Sequence, residues 1–153
     1  MLDRVFSNGG RVMMARRWIL AVMLVLYAAQ NAFFAIYSTS MKFGWVRATP
    51  DMQRFVPLSN ATSVLQLAAG WIAIVLFVVT ALRFIRRMPA LGVYAVAFLL
   101  SVGTWLSFKL GTVYNQVFSA DEQKFDYVLL AIMALFGFAI WLIERLETRS
   151  AAA

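Results

Sequence analysis

The residues in this chain that could do chemistry are few. The 153-residue sequence contains no Cys and no His. That excludes disulfides, thiolate nucleophiles, imidazole general bases, histidine haem ligation and most zinc sites. One tight group of acids exists, Asp121, Glu122 and Asp126. It falls at a predicted helix start, where carboxylates complement the positive end of the helix dipole. A cap is therefore the simpler reading than an acid–base pair, and no catalytic residue, metal site or cofactor is expected.

Uncharged polar residues remain, embedded in long apolar runs: Gln30, Asn31, Gln66, Ser101, Thr104 and Ser107. With Lys109 at its mouth, this set could form a crevice that takes the polar end of an amphiphilic or neutral small molecule. The same side chains also serve as glue between membrane helices, at about 0.6 kcal/mol each. Glue is the plainer expectation. No Asp, Glu, Lys or Arg falls deep inside an apolar run, which argues against a proton or ion path.

The elements that position these residues follow from composition. Hydrophobic residues make up 63% and charged residues 14%, with a mean hydropathy of +0.77. Ordinary soluble domains carry roughly 45–50% apolar and about 25% charged residues. The excess apolar surface calls for lipid. Stretches free of charged side chains run Trp18 to Met41, Phe55 to Leu82, Met88 to Phe108 and Tyr127 to Ile143. A bilayer core of about 30 Å needs roughly 20 helical residues, with about 17 as a floor. The fourth stretch is short by that measure, but Ser119-x-x-Glu122 is a capping box that starts its helix earlier, near Ala120.

The fold class is accordingly all-α: a polytopic integral membrane protein of four transmembrane helices. They cover approximately residues 17–40, 59–84, 89–110 and 120–147 of a single 1–153 domain, arranged as an antiparallel up-down bundle. The first span reads as a retained signal anchor. A Ser7-Asn8-Gly9-Gly10 turn is expected before it, and a short helix from Pro50 to Val56, stopped by Pro57, after it. The tail from Thr148 to Ala153 is expected to fray.

Alternating topology places nine Lys and Arg residues on one side and five on the other. The positive-inside rule then puts both termini inside, in the cytoplasm for the expected bacterial inner membrane, and a mitochondrial inner membrane would obey the same rule with the matrix as inside. Trp18 and Trp141 fall near the inner boundary, and Tyr37, Trp45, Tyr114 and Tyr127 near the outer one, the headgroup levels that amphipathic rings prefer.

The two outer loops also resemble each other. Ser40–Val46 aligns with Ser107–Val113, and Asp51–Phe55 with Asp121–Phe125, so that seven of twelve positions are identical. Lys42, Asp51, Gln53 and Phe55 thereby correspond to Lys109, Asp121, Gln123 and Phe125. A duplication would make the protein two tandem hairpins of like orientation, related by a pseudo-two-fold along the membrane normal. It would also allow reciprocal pairs, Lys42 with Asp121 and Lys109 with Asp51. On the third helix, Gly103, Ser107 and Gly111 recur every four residues, a spacing that lets helix backbones approach within a bundle.

Two functions are compatible with this reading. The first is a non-catalytic accessory or scaffold subunit, or a homo-oligomer, acting through packing with lipids or other membrane subunits and not with nucleic acid. The alternative is a transporter or binding protein using the outward-facing polar crevice.

Overall fold

The computed structural model describes the backbone of residues 2–151 and the side chains of residues 14–149. Every element among the described residues is helical: α1 (Leu2–Lys42), a 3₁₀ helix (Pro50–Phe55), α2 (Val56–Ala61), α3 (Val64–Ile85), α4 (Leu91–Lys109), α5 (Thr112–Val117) and α6 (Ala120–Ala151). Four of them, α1, α3, α4 and α6, are long and apolar enough to cross a membrane. The protein is an integral membrane protein.

Local chemistry sets the boundaries. Ser63 and Gln66 form a capping box at the start of α3: Ser63 Oγ accepts from the Gln66 amide at 3.1 Å and Gln66 Oε1 from the Ser63 amide at 2.7 Å. The expected box at Ser119 and Glu122 is present, with bonds of 2.9 and 3.3 Å, and α6 starts at Ala120. After α1 the chain turns on Gly44, which sits at φ +71°, the left-handed conformation that glycine adopts without steric cost.

Several expectations need correction. α1 passes through the Ser7–Gly10 segment without a turn, because glycine weakens a helix without breaking its hydrogen bonds. The short helix expected from Pro50 to Val56 is present as the 3₁₀ helix Pro50–Phe55, but Pro57 does not end the helical path. It lies in the first turn of α2, where its missing N–H is not needed, and the spanning helix α3 consequently begins at Val64 rather than near residue 59. α5 was not foreseen. The tail remains helical to Ala151; Ala152 and Ala153 lie outside the described residues.

The bundle is clasped at one end by charge. Arg17 on α1 is only 3% exposed. Its Nε donates to Glu147 Oε1 of α6 at 2.7 Å, its Nη2 to Glu147 Oε2, and its Nη1 to the Phe84 carbonyl at the end of α3. The guanidinium also lies 4.5 Å from the centre of the Phe84 ring. One turn earlier on α6, Glu144 Oε1 accepts from the Ala90 amide at 2.7 Å and so caps α4, whose start has no side-chain cap of its own. Two carboxylates of α6 thereby fasten the ends of the other three spans.

Above this clasp the core is built from small residues on facing helices, Ala21 and Ala28 with Ala73 and Ala81, around Leu24, Phe77 and Ile140. A layer of larger groups follows. Tyr27 meets Phe77 edge-on at 5.3 Å and Phe77 meets Tyr94 at 5.8 Å. Tyr94 donates to the Met133 carbonyl, and the Tyr27 hydroxyl lies 2.9 Å from Met133 Sδ. Gly137 makes room for Tyr94: a Cβ there would come within 2.9 Å of the Tyr94 ring. The Gly103, Ser107 and Gly111 row is loosely packed, with Ser107 meeting Gln66 of α3. Nothing lies within 4 Å of a Cβ built on Gly103, and Ser107 is exposed beside it.

Glu147→Ala leaves the buried guanidinium without its carboxylate and is expected to cost about 3 kcal/mol, measured by denaturant unfolding in mixed micelles. Replacing both partners, Arg17→Met with Glu147→Leu, is expected to recover most of that loss. Equal destabilisation by the single and double variants would contradict the clasp.

Candidate functional site

At the end opposite Arg17, the four spans enclose a cavity of about 550 Å³. Its floor is the Tyr27, Phe77 and Met133 layer, and its walls come from α1, α3, α4 and α6, with Phe55, Leu58, Ser59 and Phe118 of the loops closing over it. The volume lies within the roughly 300–1,000 Å³ usual for small-molecule sites, and a mostly apolar wall with a few placed polar groups is their usual character.

Four of the seven residues expected to form a crevice line this cavity: Asn31, Gln66, Ser101 and Thr104. Gln30 does not, because the next position on a helix is turned by about 100°; Gln30 is exposed on the outer surface of α1. Ser107 is also outside, where its hydroxyl accepts from Gln66 Nε2 at 2.7 Å and donates to the Thr104 carbonyl. That bond is helix glue between α3 and α4. Asn31 is held by its own helix, donating to the Tyr27 carbonyl at 2.8 Å. The polar set therefore divides between the two roles the sequence left open.

Lys109 is not at the cavity mouth. It donates to the Tyr127 hydroxyl at 2.6 Å and sits 4.1 and 5.1 Å from the ring centres of Tyr127 and Trp105. Lys42 donates to the Asn60 carbonyl at 3.2 Å. Neither lysine makes its expected reciprocal pair with Asp121 or Asp51; Asp121 instead binds Lys124 at 2.7 Å. The two outer loops are joined differently, through Arg54 to Glu122 at 2.9 Å and Phe55 against Phe118 at 5.8 Å.

The aligned loop segments also adopt different structures. Asp51, Gln53 and Phe55 belong to a 3₁₀ helix, whereas Asp121, Gln123 and Phe125 lie in the first turns of α6. Phe55 lines the cavity, while Phe125 is 67% exposed. Gln123 turns back to the Phe118 carbonyl at 3.1 Å and Asn115 at 3.3 Å.

The most informative wall group was absent from the expected set. Asp126, on the second turn of α6, lines the cavity. Its Oδ2 accepts from Trp105 Nε1 at 3.1 Å and from the Tyr114 hydroxyl. Tyr114 is 5% exposed and so is an internal group rather than a headgroup anchor. Tyr37 differs from its expectation in a similar way. It lines the cavity, and its hydroxyl is buried without a hydrogen-bond partner among the described residues. A buried hydroxyl left unsatisfied carries a desolvation cost of about 1–3 kcal/mol, unless something in the cavity bonds to it.

Comparison with protein-family profiles, with curated proteins and with solved structures finds no match to this chain.

Tyr114→Phe removes one neutral donor from the Asp126 carboxylate. It is expected to cost about 2 kcal/mol, the range of a hydrogen bond to a charged group, in the same micellar unfolding measurement. An unchanged stability would mean that Asp126 does not tether α5.

Proposed function

We propose that this protein is a non-catalytic membrane protein that holds an amphiphilic small molecule in the cavity between α1, α3, α4 and α6. One observation carries the reading: a pocket of drug-like size, about 550 Å³, with a predominantly apolar wall and polar groups collected at Tyr37, Asn31, Ser101, Thr104 and Asp126. Apolar walls take a hydrocarbon or ring system, and separated polar groups fix one end of it. The absence of Cys and His from the sequence supports binding or transport over catalysis. The charge asymmetry of the loops supports an orientation with both termini inside, as in a bacterial inner membrane. On that orientation the cavity lies in the outer half of the bilayer and is reached from the outer leaflet.

A scaffold or homo-oligomer role is the second reading. Phe125, Val128, Leu135, Phe138 and Leu142 are exposed along α6, at spacings of three, four and seven that gather them on one side of a helix. Lipid chains cover such a face as well as a partner helix does, since inside a bilayer no hydrophobic gain distinguishes the two. The cavity therefore weighs more.

Native mass spectrometry of the protein extracted from its own membranes tests the reading. The expected result is a population carrying one noncovalent small molecule per chain, lost in Ser101→Trp, which places an indole in the binding space. Bare chains in both proteins, or an adduct that persists in Ser101→Trp, would contradict it.

A further inference from the structure

The cavity has a charge as well as a shape. Among the residues that line it, Asp126 is the one carboxylate, and no Lys or Arg is present. This is unusual in a chain of net charge +7. Asp126 forms no ion pair among the described residues: its carboxylate is met by the neutral indole N–H of Trp105 and the neutral hydroxyl of Tyr114. Neutral donors lower the cost of burying an anion without cancelling its charge, and the low dielectric of an apolar cavity strengthens its attraction for a cation. The nearest basic side chain along α4, Lys109, is committed to the Tyr127 hydroxyl and to two aromatic faces.

The remaining wall has the character a large organic cation requires. Trp105, Tyr37, Phe55, Phe108 and Phe118 line the same cavity as Asp126. Aromatic faces attract cations through the ring quadrupole, most strongly where water is excluded, and cages of this composition recognise quaternary ammonium groups. A small metal cation is poorly served, because it demands several oxygen ligands. The described residues contain no cluster of three or more acidic, His or Cys side chains able to supply them.

We infer that the cavity selects hydrophobic organic cations, a bulky ammonium or phosphonium with apolar substituents, with Asp126 as counter-charge and the aromatic wall as cage. The inference rests on the binding role proposed above and specifies the ligand class for that same cavity.

The test measures saturable binding to the full-length protein in detergent micelles, against empty micelles, with three probes of similar shape. They are tetraphenylphosphonium, neutral triphenylphosphine oxide and anionic tetraphenylborate. Tetraphenylphosphonium is expected to bind one per chain, at least about tenfold more tightly than the neutral probe, with no saturable binding of the anion. Asp126→Asn is expected to weaken the cation at least about tenfold while leaving the neutral probe unchanged, and Asp126→Glu to retain the cation. If Asp126→Asn fails to fold, the charge series on the wild-type protein decides alone. A neutral probe that binds as tightly as the cation, or an Asp126→Asn protein that keeps its cation affinity, would overturn the inference and leave the cavity as a site for neutral amphiphiles. No saturable binding of any probe, or binding undiminished by Ser101→Trp, would overturn the binding role and this inference together.

Discussion

A guanidinium removed from water organises this bundle. Arg17 carries a full charge at a position closed to solvent, and it is tolerable there only because Glu147, the Phe84 carbonyl and the Phe84 ring surround it. Those partners come from two helices other than its own, so satisfying one charge ties α1 to α3 and α6. Glu144 adds α4 by accepting from the Ala90 amide. In a bilayer, lipid chains solvate apolar side chains as well as a neighbouring helix does, and association depends on close packing and interhelical polar bonds. A multivalent charged clasp at one end is a strong form of the second.

The opposite end is tied at its edge rather than through its centre. Asp126 joins α6 to Trp105 on α4 and Tyr114 on α5, while Gln66 joins α3 to Ser107 on α4. Trp71 reaches Thr39 of α1 at 3.3 Å, and Ser59 donates to the Ser38 carbonyl at 2.9 Å. Between the clasp and these outer ties stands the Tyr27, Phe77, Tyr94 and Met133 layer, whose rings hold the helices apart. Small alanines pack below it and the cavity opens above it. The cavity thus follows from where the large side chains fall along the spans.

Much of the architecture is legible in the sequence, since charge-free stretches of spanning length and a Ser-x-x-Glu box depend on local chemistry alone. The site is legible in part. Asn31, Gln66, Ser101 and Thr104 stand out as polar residues in apolar runs, yet the same criterion selects Gln30 and Ser107, because helical rotation decides which of them faces inward. Arg17 was hidden by its neighbour: Arg16 and Arg17 look alike as flanking basic residues, and only the position of Glu147, 130 residues later, separates a buried clasp from an exposed anchor. Asp126 was hidden by Asp121 and Glu122, with which it reads as a helix cap. The aligned loop segments differ in backbone for a related reason. Pro57 follows Phe55 and starts a new helix, whereas Phe125 continues an established one, so similar residues take different backbones.

The Arg17–Glu147 clasp joins α1 and α6 at one end, and above it the Tyr27, Phe77, Tyr94 and Met133 layer keeps the spans far enough apart to leave a ligand-sized space. A structure of the protein in lipid, from crystals grown in a membrane mesophase, tests it most directly. The expected result is an open cavity bounded by Tyr37, Ser101 and Asp126, with an elongated or ring-bearing molecule inside it and Arg17 buried against Glu147. A bundle in which α6 packs against α1 along its whole length, with no room between those three residues, would contradict it.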